Sequence, residues 1–255
     1  MSGDAAGTPS AGAWPVSHEM DAFAALARAR IYGALAPLVA SPEEAVATGW
    51  EDPASAVEDL VAALEDAPCA LPEAVGAALA QLAAAAHAAP AAVLAADVAR
   101  AHGALFEVGD RGPPLALREE LAPGANAAAK EEVARFYEHF GYELGDGYAW
   151  RPDHLSPMLE FMHFLAWHEA QPPSTDADDG GDGGDIEVDL AAGLRAAQRD
   201  FAARHLVRWL PAVAAAVAAR EDGSPLVAGT LALAAGFITA DLDWLEARIA
   251  SDSGD

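Results

Sequence analysis

Glu160 and His163 stand three residues apart in the run Glu160-Phe161-Met162-His163. On a helix, positions i and i+3 share a face, and carboxylate-bridged metal sites in helical bundles use that spacing. Such sites need a second Glu-x-x-His and two more glutamates, and this sequence has no second copy of the motif. His168 follows His163 by five positions, roughly 140° further around a helix, so it does not join the same face. A helical metal-dependent enzyme using Glu160 and His163 is therefore the alternative rather than the main reading, and no metal ligand is assigned. The lone Cys69 excludes a disulfide framework and a cysteine zinc site. The acidic run at 172–185 lacks the frame of a calcium-binding EF-hand loop. Gly-x-Ser-x-Gly, a phosphate-binding glycine loop and Cys-x-x-Cys are all missing, so no catalytic residue and no cofactor is assigned.

A second polar pair lies just upstream. Asp153-His154 precedes Ser156-Pro157, which reads as a helix cap followed by proline at the first helical position. In such a turn Asp153 is placed to accept backbone N–H groups or to hold His154 in one tautomer. Leu159, Phe161, Met162 and Leu165 read most simply as core. Met158 and Met162 have a second reading, as an adaptable surface for a bound peptide.

The elements that must carry these residues are helices. Ala, Leu, Glu and Arg are good helix formers, while Val, Ile and aromatic residues rarely alternate with polar ones. The expected fold is all-α, a single multi-helix bundle. Met20, Phe23, Ala27, Ile31, Ala34 and Leu38 recur at helical spacing and predict a helix over 19–38 with that face buried. Further helices are expected at 54–66, 72–88, 91–106 and 127–140, punctuated by Pro68, Pro72 and Pro90. Two long helices close the chain. The first carries a stripe of Leu190, Leu194, Ala197, Phe201, Leu206, Trp209, Val213 and Val217, with a kink from Pro211 near Val207. The last carries Leu231, Ala235, Ile238, Leu242, Leu245 and Ile249. Residues 1–17 are expected as a disordered tail and 172–185 as a mobile acidic linker inside an all-helical domain of 18–250.

Charge narrows the function. Forty Asp and Glu face fourteen Lys and Arg, a net charge of -26, and Lys130 is the only lysine. Many carboxylates with almost no lysine is the balance of a salt-adapted protein and points to an extreme halophile as the source. Nucleic acid is excluded as a partner because no basic patch exists to neutralise phosphates. The first seventeen residues carry no cationic start, apolar stretch or twin arginine, and Leu226–Ala240 falls short of the roughly 18 apolar residues of a span. The expectation is a cytoplasmic protein without stable membrane insertion, a monomer or homodimer.

The run Trp150-Arg151-Pro152-Asp153-His154-Leu155-Ser156-Pro157-Met158-Leu159-Glu160-Phe161-Met162 resembles the signature of the TorD/DmsD/NarJ family, cytoplasmic chaperones for molybdenum oxidoreductases. Glu132 to Tyr142 is similar to the family helix before the signature. Gln198-x-x-Phe201 with His205-Leu206-x-x-Trp209-Leu210-Pro211 is similar to the helix after it. Arg30-Ile31-Tyr32 through Pro42-Glu43-Glu44 is similar to its first helix and turn. One departure is that Pro152 directly precedes Asp153, where the family commonly has Pro-x-Asp-His. The resemblance implies a TorD-like bundle and a non-enzymatic role. The chain would bind the twin-arginine leader or the apo catalytic subunit of a molybdopterin oxidoreductase and assist cofactor insertion before export. Asp153, His154, Met158, Glu160 and Met162 are the client-binding residues it suggests.

The charge itself yields a test. Self-repulsion at net -26 is screened by concentrated cations. Circular dichroism at falling KCl is expected to show helicity lost in dilute buffer; unchanged helicity and melting there removes the salt-adapted reading.

Overall fold

Proline and aspartate set where the helices begin. In the computed structural model, which describes residues 16–41, 52–107, 113–123, 128–171, 183–220 and 223–252, Asp52 caps the amide of Ser55 and Pro53 opens the helix behind it. Pro72 and Pro90 stand just ahead of the next two starts, where a missing N–H costs nothing. Among the described residues there are nine α-helices. They are α1 (Val16–Leu38), α2 (Pro53–Glu65), α3 (Glu73–Ala86), α4 (Ala91–His102), α5 (Ala129–Phe140), α6 (Leu155–Glu169), α7 (Gly183–Phe201), α8 (Leu210–Ala218) and α9 (Pro225–Asp252). No strand occurs among the described residues; Arg118 and His154 make one isolated antiparallel bridge. The all-α expectation holds. Gly141, at φ 66°, ends α5 in the left-handed conformation that glycine adopts without strain.

Several sequence expectations need correction. Residues 1–15 and 172–182, most of the expected tail and linker, lie outside the described residues; Val16 and Ser17 already belong to α1, and Gly183 opens α7. Pro211 does not kink one long helix. After Phe201 the chain makes a π-helical turn over Ala202–Leu206, with the Val207 amide donating to the carbonyl of Ala202, and a new helix starts at Leu210. Pro211 then sits in the first turn of α8, where proline is tolerated. The apolar stretch read as ending at Ala240 continues through a 28-residue helix, α9. It is the one helix among the described residues long and apolar enough to cross a membrane, and two thirds of its apolar window is buried in the bundle.

The core has two main seams. The more extensive packs α1 against α6, the next packs α3 against α9. In the second, Gly229 faces Leu82 and Gly236 faces Val75, seven residues apart on both helices. A Cβ at Gly229 would lie 3.2 Å from Leu82 Cβ, and one at Gly236 would collide with Val75 Cγ2. Bare backbone is thus what lets the two helices approach.

The expected face of α1 is rotated. Met20 and Phe23 are exposed, and the buried face instead holds Arg28, Ile31, Tyr32 and Leu35. Leu190, placed in the α7 stripe, is exposed too. Arg28 is wholly buried and meets four groups from three other helices and its own. Its guanidinium donates to Asp241 of α9 (3.0 Å for Nη2 to Oδ2), to Gln198 Oε1 of α7 at 2.7 Å and to Glu169 of α6 at 3.3 Å, and it stacks over Trp244. Tyr32, one turn along α1, donates its hydroxyl to Asp241 at 2.7 Å. Arg195 binds the other oxygen of Glu169 at 2.8 Å. Burial opposes the charge on Arg28, but Asp241 and Glu169 outweigh it and hold the guanidinium above its ordinary value. Cys69 lies close by, and burial first, then Asp241, pushes its thiol up to about 11.

Removing one partner from such a buried group strands the others. Asp241→Asn is expected to cost about 3–5 kcal/mol in equilibrium denaturation. A loss below about 1 kcal/mol would mean that the network is not what aligns the four helices.

Candidate functional site

The signature turn is built from two segments far apart in sequence. Residues 113–123 cross the start of α6: the Leu155 amide donates to Leu117 O at 2.8 Å and the Glu119 amide donates to Asp153 O at 3.0 Å. Asp153 is fully buried. Its Oδ1 accepts from Arg118 Nε at 3.2 Å and Nη2 at 3.1 Å, and its Oδ2 accepts from the Glu120 amide at 3.0 Å. A carboxylate with a guanidinium and a backbone N–H can stay charged inside.

His154, not Ser156, caps α6, which corrects the expected start. Its Nδ1 accepts from the Ser156 amide at 3.2 Å, so Ser156 and Pro157 already lie in the first turn. An accepting Nδ1 assigns the proton of the neutral ring to Nε2. Burial above all, then the positive charges of Arg151, His102 and Arg118, hold its pKa well below 6.5. Tyr137 of α5 donates to Pro152 O at 2.9 Å and pins the turn from beneath.

A second buried pair ties this turn to the π-helical segment. Glu119 Oε2 and His205 Nδ1 are 3.0 Å apart and both residues are buried, while Trp209 donates its indole N–H to His205 O. Arg118 and Glu119 carried no signal in the sequence, because their segment between prolines has no helical period. His205 was visible only through the family resemblance.

Met158 and Met162 do not reach the surface; both are fully buried, because α6 is packed on by α1 and α7 and roofed by aromatic rings. Phe161 meets Tyr137 at 4.8 Å and Phe201 at 4.9 Å between ring centroids. Of the five client-binding residues suggested by resemblance, only Glu160 keeps an outward position. It accepts from the Tyr142 hydroxyl at 3.0 Å; burial and this carboxylate together raise the phenol well above its usual range.

Glu160 rims an open groove of about 660 Å³ between α1, α2 and α6. Gly33 and Pro37 of α1 line its floor, with Arg30, Asp59 and His163 on its rim. His163 donates from Nδ1 to Ala29 O at 2.8 Å and lies so near Gly33 that a Cβ there would stand 3.0 Å from the ring. Glu160 and His163 do share this face, as their spacing implied. Among the described residues, however, no group of three or more His, Cys, Asp or Glu side chains is placed to hold a metal ion.

A TorD-like bundle with a buried Asp-His turn places the protein among helical maturation factors. Residues 69–215, more than half of the sequence, match the family described as nitrate reductase delta subunit, and the chain belongs to that family. It is 36% identical over 112 residues to the perchlorate reductase assembly chaperone protein of Dechloromonas aromatica, 44% of each chain. It is 38% identical over 81 residues to the selenate reductase assembly chaperone protein of Thauera selenatis, 32% of this chain and 36% of that one. The dimethyl sulfide dehydrogenase assembly chaperone protein of Rhodovulum sulfidophilum is 34% identical over 140 residues, 51% of each. The matches span about half the length of these curated relatives or less. No solved structure matches the chain significantly.

The cap gives a pH test. Folded His154 resists protonation while the unfolded chain takes a proton near 6.5. Its contribution to stability is therefore complete above about 6.5 and is lost as pH falls toward the depressed folded value. His154→Asn keeps a capping side chain but cannot titrate. Urea denaturation between about pH 7.5 and 5 is expected to show a shallower loss of stability for this variant than for wild type; parallel curves would mean that the ring is not held neutral.

Proposed function

We propose that the chain is a cytoplasmic assembly chaperone for a molybdopterin oxidoreductase. It binds the apo catalytic subunit, or that subunit's twin-arginine leader, and holds it for cofactor insertion before export. The observation that carries this reading is the family match at residues 69–215, with relatives whose names describe assembly chaperones. No covalent chemistry is needed. A chaperone that binds the apo client more tightly than the mature one favours the open, loadable form by linkage and releases it once the cofactor is in place. The working unit is a monomer or homodimer in a salt-rich cytoplasm, without nucleic acid and without stable membrane insertion.

In this reading Asp153 and His154 are positioning residues. They fix the first turn of α6, and α6 carries Glu160 to the groove. Met158 and Met162 support that helix from inside. At molar salt the Debye length is about 3 Å, so the acidic surface does not steer a basic client from a distance; recognition rests on groups in contact.

The test is calorimetry in molar KCl with the apo and the mature catalytic subunit of the neighbouring oxidoreductase. Binding to the apo subunit alone, together with a cofactor-free client in cells lacking the chaperone, is the expected result. Equal affinity for both forms, or a fully loaded client without the chaperone, would overturn it.

A further inference from the structure

The groove beside Glu160 continues into a stripe that the bundle leaves open. Met20, Phe23, Leu26, Arg30, Gly33 and Pro37 follow one another along α1 at steps of three or four residues and so share one face. Met20 is 61% exposed, Phe23 54% and Leu26 43%, the largest apolar exposures on that helix. Helix α6 runs antiparallel beside it: Glu160 shares the groove with Pro37, His163 touches Gly33 and Ala29, and Glu169 reaches Arg28. This register places Trp167, 43% exposed and one turn beyond His163, level with the Leu26 end of α1. The result is a trough with two chemically different ends. At one end are Asp59 and Glu160; at the other are Phe23, Leu26 and Trp167.

The charges on the trough are not balanced. Arg30 is committed to Asp66 at 2.9 Å. His163 spends its Nδ1 proton on the Ala29 carbonyl. Asp59 is exposed and has no ion-pair partner among the described residues. Two carboxylates therefore face the polar end against no uncommitted guanidinium.

We infer that this trough is the docking surface for an extended or helical segment that carries arginine next to an apolar run. Its guanidinium groups pair with Asp59 and Glu160, and its apolar side chains lie along Leu26, Phe23 and Trp167. The inference rests on the chaperone reading and adds to it a place, a polarity and a direction along α1. Direct carboxylate–guanidinium contacts also survive high salt, where long-range attraction does not. Gly33 is the gauge of the trough: it lets His163 lie flat against α1 and keeps the floor low.

The test titrates the full chain, in molar KCl, with a synthetic peptide of the client's leader and with the same peptide in which lysine-free, arginine-free residues replace the basic pair. Asp59→Asn with Glu160→Gln is expected to weaken binding of the leader about tenfold or more and to leave the arginine-free peptide unaffected. Phe23→Ser with Leu26→Ser is expected to weaken both peptides. Phe23, Leu26 and Asp59 are exposed, so melting should change little, and it is measured alongside. Wild-type affinity in both double variants overturns the trough while leaving the chaperone reading intact, provided that wild type still binds the apo subunit. Failure of wild type to bind either leader or apo subunit overturns the chaperone reading itself. If the serine variant alters only sedimentation and not peptide binding, the apolar end is a contact between copies of this chain, and the inference fails.

Discussion

A buried guanidinium has few ways to exist, and Arg28 has taken all of them at once. A charge that far from water needs opposite charge and hydrogen-bond acceptors around it. Here Asp241, Glu169 and Gln198 come from three different helices. Meeting them requires α1, α6, α7 and α9 to hold one mutual orientation, which apolar packing between alanine-rich faces does not specify by itself. Once Arg28 points inward, helix geometry turns the residues two places to either side, Leu26 and Arg30, about 200° away and outward. The open stripe on α1 is thus the other side of the ion network rather than an independent feature.

This also explains what the sequence could and could not reveal. Helix boundaries were legible to within a few residues, because Pro53, Pro72, Pro90 and Gly141 act locally. The face of α1 was not. Alanine fits either side of a helix, so a stripe drawn through Met20, Phe23 and Ala27 competes on equal terms with one drawn through Arg28, Ile31 and Leu35. Only the partners on distant helices decide between them, and a single sequence does not display those. The signature had the same difficulty in reverse. Asp153 and His154 were visible as a pair, yet their burial depends on Arg118 and Glu119, which lie in an aperiodic segment some thirty residues earlier. Ser156 was a reasonable cap by residue preference. The imidazole two residues before it reaches the same amide and displaces it from that role.

The turn and the core form one connected structure. Asp153 holds residues 113–123, Glu119 in that segment holds His205, and His205 lies on the helix system that supplies Gln198 to Arg28. Aromatic rings from α5, α6 and α7 fill the space between them, with Phe161 at the centre. The groove side of α6 is thereby carried on a helix whose other sides are fixed, which suits a surface that must keep its shape while unoccupied.

The π-helical turn at Ala202–Leu206 has a bearing on how this chain can change length over evolution. Such a turn holds one residue more than the regular helix it interrupts. Deleting a single residue there would relax the turn into ordinary helix and rotate everything beyond it by about 100°. Trp209, Leu210 and Val213, all buried, would swing out of the interior together. The connecting segments elsewhere can gain or lose residues without such rotation. Length variation should therefore collect between helices and spare this internal turn, making its residue count a better marker of descent than its residue types.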